Sequence, residues 1–335
     1  MNQPVTVVQY GMGPIGCLVA RLVAVRPDMR LVGAVDADPH KVGRDVGDVA
    51  SLGRPLGVDV RPDAGPLLAS LRPTLVFHST GSFLDDVGPQ IEAVCRAGAN
   101  VVSSCEELSY PWVRNRGWAE RIDAAARQGG VTVLGTGINP GFAMDLMLIT
   151  VTGMCRDVRG VSARRVVNAS KRRHALQRKI GAGLTVERFQ QMVQAGKVRH
   201  VGLPESVDMV AAALGWRLTR VDDEIAPVVA QQPVETEHLR VEAGQVAGVR
   251  QTAVGWEGEL KRLSLELEMY VGAPEPGDYL SVDGDPPVSV SIDGIHGDVS
   301  TAAIMVNAAS FVAAAPPGLT TMTQLPTVCW RAPFA

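Results

Sequence analysis

Aromatic residues are scarce in this chain, at 4%. Neither charge sign dominates: 32 Lys and Arg stand against 35 Asp and Glu, a net charge of −3. Nucleic-acid and anionic-membrane binders need a basic excess, so neither partner is expected. The five cysteines, Cys17, Cys95, Cys105, Cys155 and Cys329, are far apart and form no C-x-x-C pair. That removes the usual zinc and redox spacings, and no metal is expected. The odd count reads as free thiols in a reducing cytoplasm. No run of 18 or more apolar residues occurs, so no membrane span is expected. The opening MNQPVTVVQYG lacks a basic flank and a long apolar core, unlike a secretory signal.

What the chain has is glycine (35) and proline (22), which suit many strand–helix turns. It has 335 residues, more than one core usually serves, which predicts two domains. Through residue 135 short β-rich runs (4–10, 30–36, 74–80, 100–104, 131–136) alternate with helix-like stretches (14–26, 40–50, 84–97, 113–128). The runs are apolar nearly throughout, as in a parallel, doubly wound sheet covered on both faces. Beyond residue 140 the pattern changes. GFAMDLMLITVTGM reads as one apolar helix, started by Pro140 and Gly141. Strands follow at 161–169, 260–271 and 288–293 with period-two alternation, which predicts a mostly antiparallel sheet. Helices near 185–196 and 204–214 would cover it. A final Ala-rich helix, 298–316, is apolar on most sides, so it is expected to be buried against the first domain, with Asp298 as its N-cap.

The first strand runs into Gly11-Met12-Gly13-Pro14-Ile15-Gly16 and then an amphipathic helix. G-x-G-x-x-G in that context is a dinucleotide fingerprint. Gly11 permits the tight turn, Gly13 lets backbone amides approach a pyrophosphate, and Gly16 lets helix and strand lie close. Pro14 is tolerated in the first helical turn. Asp36 ends the next strand about 20 residues on, where a carboxylate accepts from the adenine-ribose hydroxyls of NAD. His40, Lys41 and Arg44 lie just beyond, so NADP stays possible. The loop Ser79-Thr80-Gly81-Ser82 would pass the nicotinamide side, while His78 reads as buried and structural.

The strand 100–104 ends in Cys105-Glu106-Glu107, at the edge where open α/β sheets bind ligands. Ser104 and Glu107 fit a capping box, and so do Ser103 and Glu106. The first register makes Glu106 the functional acid, with Glu107 as the alternative. Pro111 limits any helix here to about one turn.

CEELSYP (105–111), the loop GTGINPGF (135–142) and RRVVNASKRR (164–173) together resemble the NAD(P)-dependent amine dehydrogenases. These are relatives of 2,4-diaminopentanoate dehydrogenase in the dihydrodipicolinate reductase-like superfamily. The resemblance implies an N-terminal Rossmann domain holding NAD(P), with a C-terminal α+β domain, usually in a homodimer. Domain bounds of 1–138 plus 298–335 for the dinucleotide domain and 139–297 for the substrate and dimerisation domain follow. It also implies reversible reductive amination of a small ketone or aldehyde with ammonia.

The chemistry of the residues agrees. An iminium cation that accepts hydride is stabilised by a nearby carboxylate, which also moves protons; by the motif match this is Glu106. Cys105 would line the cofactor. Asn139 would meet a carbonyl or amine, and Phe142 would wall the pocket. Asn168 is placed on the substrate strand, and Val166 shares its face. A cation there would suit an acidic substrate. Its absence at Val166 points to a neutral one, with Arg164 keeping the other option open. His296 either reaches the cleft or serves its turn. The basic cluster 171–179 reads as a solvated face. Three other readings stay open: an amino-acid dehydrogenase such as 2,4-diaminopentanoate dehydrogenase, a dihydrodipicolinate-type imine reductase, and a dinucleotide-sensing regulator.

Overall fold

A computed structural model describes residues 4–332. The chain forms two compact units, residues 1–142 with 296–335, and residues 143–295.

The first unit carries a seven-stranded sheet. Its strands are β1 (Val5–Tyr10), β2 (Met29–Val35), β3 (Val60–Arg61), β4 (Leu75–His78), β5 (Asn100–Ser103) and β6 (Thr132–Gly135), with β15 (Gly318–Thr320) from the chain's end. The order is β15-β6-β5-β4-β1-β2-β3, and every pairing is parallel. The strand direction of winding reverses between β1 and β4, the crevice where such sheets bind dinucleotides. Helices α1 (Pro14–Val23), α2 (Val46–Val49), α3 (Ala64–Leu71), α4 (Leu84–Arg96), α5 (Arg116–Gly129) and α10 (Gly297–Ala314) complete the unit. Leu68 of α3, Ile91 of α4 and Ile122 of α5 share one core with Val8, Val76, Val101 and Val133. On the other face α10 packs along α1 and against β4, β5 and β6. Among the described residues α10 is the one helix long and apolar enough to cross a bilayer, but its neighbours make it a core helix.

The sequence pattern predicts neither β3 nor α3, and the helix expected over 40–50 is only Val46–Val49. Asp45 is the reason. Its carboxylate takes the N–H groups of Gly47, Leu56, Gly57 and Val58, so the segment folds around one acid. The expected cap of the last helix is also corrected. His296 holds that position, with Nδ1 accepting from Val299 N at 3.3 Å, while Asp298 lies in the first turn. A carboxylate there still complements the helix dipole.

The second unit holds α6 (Leu146–Thr152), β7 (Asp157–Asn168), α7 (His174–Lys179), α8 (Val186–Gln194), α9 (Leu203–Ala213) and β8 (Arg220–Val229). A small pair follows, β9 (Val234–Glu235) and β10 (Arg240–Val241). Then come β11 (Val246–Glu257), β12 (Leu260–Tyr270), β13 (Gly277–Asp285) and β14 (Val288–Ile292). The six-stranded order is β14-β13-β7-β12-β11-β8, antiparallel except where β12 meets β7. The helix expected from Gly141 begins only at Leu146, because Gly141 has φ +123° and Asp145 caps the helix instead. One sheet face buries Val161, Ala163, Leu263, Leu265 and Leu267. Arg165 lies buried on that face, paired with Asp278 at 2.5 Å, and the two side chains grip the backbone O and N of Ile295. The other face presents Ser162, Arg164, Ser264, Glu266, Tyr279 and Ser281.

Candidate active site

Four loops of the first unit meet at the carboxyl edge of its sheet, after β1, β4, β5 and β6. In the first, Gly11 has φ +93°, and a Cβ there would lie 2.5 Å from Ser79 O. A Cβ on Gly16 would lie 1.8 Å from Gly11 O. Both glycines are therefore demanded by the fold. Gly13 is different: its φ is −73° and a Cβ would meet nothing within 4 Å. The bare backbone at the start of α1 is open space, the form a pyrophosphate cradle takes at a helix N-terminus. Pro14 occupies the first helical turn, Ile15 is half-buried, and the Met12 side chain is core. Asp36 ties this loop to β2. One of its oxygens accepts Met12 N at 2.7 Å and Lys41 Nζ at 3.1 Å, and the other accepts Asp38 N. Lys41 also pairs with Asp38.

Gln9, buried within β1, is a site-building residue that the motifs do not single out. Its Nε2 donates to Gly11 O and to Ser79 Oγ, and Ser79 Oγ donates to Gly11 O. The signal was present: an amide in an otherwise apolar strand just before the glycine loop. Thr80 donates to Gln90 Oε1 at 2.8 Å and lies 2.9 Å from His78 Nε2. His78 is fully buried, with Nδ1 2.8 Å from Ser103 Oγ. Burial pushes its pKa down from 6.5 to about 4, so it is neutral at pH 7. Ser103 Oγ in turn accepts Cys105 N. A buried polar chain thus runs from Gln90 through His78 and Ser103 to the residue before Glu106.

The loops after β4 and β5 are stitched together. Cys105 Sγ donates to Ser82 O at 3.2 Å, and burial raises its thiol pKa. Glu107 N reaches the same carbonyl. Glu107 Oε2 accepts Leu84 N at 2.7 Å and so caps α4, whose own N-cap, Phe83, supplies no side-chain acceptor. Glu107 therefore does serve a backbone N–H, though of a different helix from the one the capping-box spacing suggested. Glu106 opens a short 3-10 turn, Glu106–Ser109, at the end of β5 and is half-buried.

The loop after β6 is anchored at both ends. Thr136 N donates to Ser103 O, and Ile138 N donates to Thr301 Oγ1 of α10. Asn139 lies between these anchors and Gly141, and Phe142 is half-buried beside it in sequence. Val166 and Asn168 belong to the second unit, on β7. Asn168 closes that strand: its Nδ2 donates to Ala273 O and its Oδ1 accepts Ser170 N. Arg164, on the same face, is held by Glu266 and Glu268 at 3.1 Å each. His296 is the cap of α10 described above.

A glycine loop between strand and helix, Asp36 tied to it from the end of β2, and an acid-bearing strand end have the form of a dinucleotide-dependent oxidoreductase of the Rossmann type. Comparison makes the assignment specific. Residues 142–331 match the 2,4-diaminopentanoate dehydrogenase C-terminal domain. The chain is 33% identical to 2,4-diaminopentanoate dehydrogenase of Acetoanaerobium sticklandii, covering 97% of this chain and 94% of that one. It belongs to that family. The amine dehydrogenase of Mycobacterium smegmatis superposes with a TM-score of 0.86 at 27% identity, covering 98% and 97% of the two chains. A dihydrodipicolinate reductase from Paenisporosarcina sp. TG-14 shares the fold at TM-score 0.53 and 12% identity, covering 95% and 98%.

Two outcomes follow. Gly13→Val leaves thermal stability near wild type and abolishes NAD binding by calorimetry, whereas Gly16→Ala lowers stability as well, by about 1 kcal/mol or more. Neutral His78 contributes stability that is complete above about pH 6.5 and is lost as pH falls toward 4, because the unfolded chain takes up the proton first. Urea unfolding between those values should show a loss of roughly 3 kcal/mol that His78→Gln lacks.

Proposed function

We propose that the protein is an NAD-dependent amine dehydrogenase, interconverting a small ketone or aldehyde plus ammonia with the primary amine. The observation that carries this reading is the position of Glu106, half-buried at the first residue of the turn that ends β5, on the carboxyl edge of the sheet and in the stretch Cys105–Pro111 that resembles the amine dehydrogenases. Glu107, beside it, caps α4. Gly11–Gly16, Asp36 and the loop 79–82 would hold NAD, which supplies and takes up hydride at its nicotinamide.

The chain's own part is electrostatic and protonic. Addition of ammonia to a carbonyl, with uptake of one proton and loss of water, produces an iminium cation. A carboxylate at the sheet edge stabilises that charge and carries protons off the attacking nitrogen and onto the departing oxygen. Partial burial raises the effect of a unit charge by lowering the local dielectric. The neutral state of His78 matters here, since an imidazolium at the end of the neighbouring strand would oppose the cation.

A second reading is favoured by the 33% identity to 2,4-diaminopentanoate dehydrogenase, whose named substrate carries a carboxylate. Against it, Arg164 is already held by two glutamates. Ammonia-dependent NADH oxidation with matched ketones, with and without a carboxylate, separates the two.

We also propose a homodimer formed through the open face of the second sheet. That face is a groove of about 480 Å³ lined by serines, with Arg164 beside Glu266, so it carries both charge signs and is suited to pairing with its own copy. Ser162→Lys with Ser281→Lys should halve the mass seen by light scattering; an unchanged mass, or a monomeric wild type, rules this face out.

The catalytic assignment is tested by Glu106→Gln. It should bind NAD as wild type does while losing turnover by about 100-fold or more. Glu107→Gln should lose stability first, by about 1 kcal/mol, and keep most turnover. Full activity in Glu106→Gln would defeat the assignment.

A further inference from the structure

Both amide atoms of Asn139, Nδ2 and Oδ1, are buried and have no hydrogen-bond partner. Buried polar side-chain atoms are normally paired, and an orphan pair on one side chain calls for an explanation. Local strain does not supply one. The loop is held at Thr136 N by β5 and at Ile138 N by α10. It also folds tightly on itself: a Cβ on Gly141 would lie 2.6 Å from Gly137 N and 2.8 Å from Thr136 Oγ1. The amide is thus presented by a fixed backbone.

We infer that Asn139 is the partner of the nicotinamide carboxamide and positions the reacting ring. This rests on the dinucleotide reading above and goes beyond it by naming the contact. The chemistry of the orphan atoms selects the ligand group. Asn139 needs a partner that accepts at one atom and donates at another. A ketone or aldehyde only accepts. Ammonium and alkylammonium ions only donate. A primary carboxamide does both, through its C=O and its NH2. Position agrees with this. The proposed pyrophosphate cradle is at Gly13, between β1 and α1, and the proposed ribose acid is Asp36, just past the end of β2. The nicotinamide end of the same ligand therefore runs the other way along the sheet, over β4, β5 and β6. Asn139 follows β6, and Glu106 follows β5, its neighbour. Pairing through two hydrogen bonds would fix the rotation of the ring and hence which of its faces meets the substrate.

The test measures binding alone, with no amine or carbonyl present. Calorimetry compares NAD with 3-acetylpyridine adenine dinucleotide, in which a methyl group replaces the amide nitrogen, and with ADP-ribose, which lacks the ring. Wild type should prefer NAD over the acetyl analogue by about ten-fold or more, since losing a donor leaves the Asn139 oxygen buried and unpaired. Asn139→Ala should weaken NAD binding by a similar factor, erase the preference, and bind ADP-ribose unchanged. Should the alanine variant lose ADP-ribose binding through misfolding, Asn139→Asp is read in its place: it keeps the shape, cannot donate when ionised, and should also show weakened NAD binding with ADP-ribose intact. An NAD-to-analogue ratio equal in wild type and variant overturns the inference, as does a variant whose only change is a raised KM for the carbonyl substrate. An absence of amine dehydrogenase activity would remove the proposed reaction but would leave these binding ratios as they are.

Discussion

The bond from Leu84 N–H to the Glu107 carboxylate, 2.7 Å long, holds the loop after β5 against the start of α4. Helix N-termini leave amides unsatisfied, and the residue at this cap, Phe83, has nothing to offer them. The acid comes instead from a neighbouring strand end. Because Glu106 and Glu107 are consecutive in a 3-10 turn, anchoring one sets the direction of the other. Cys105 adds a second tether through Ser82 O. The turn that carries Glu106 is thus tied through Cys105 and Glu107 to structure already built by β4 and α4.

Beneath those tethers lies a buried, uncharged relay. His78, Ser103 and Gln90 are linked at hydrogen-bond distance under the edge where Glu106 stands. Full burial keeps the imidazole neutral, so the relay supplies orientation without adding positive charge. On the other side of β4, Gln9 does comparable work for the glycine loop by joining Gly11 O to Ser79 Oγ. The glycine loop and the acid-bearing loop each have a polar brace underneath, reached from the same central strands.

Much of this was legible in the sequence. Apolar strands alternating with helical stretches predict the parallel sheet, and G-x-G-x-x-G predicts the tight turn from β1 into α1, because both patterns are local. The preference for Glu106 over Glu107 came from a capping spacing whose principle held and whose partner was wrong. Leu84 lies 23 residues away from Glu107, a contact no local pattern reveals. The same limit explains the other misses. Asp45 reshapes residues 46–58 by gathering four amides, an arrangement with no periodicity. The Arg165–Asp278 pair joins residues 113 apart in the chain. His296 outcompeted Asp298 as a cap although the statistics of capping residues favour aspartate.

The first unit is not a continuous stretch of chain. Its sheet gains β15, and its core gains α10, only from residues that follow the whole of the second unit. During synthesis the nascent N-terminal segment therefore emerges with the surface that α10 will cover still bare. The intervening 143–295 unit has every one of its strands available earlier. Vectorial emergence then favours the later-encoded unit finishing first, while the earlier-encoded one waits for the tail to return.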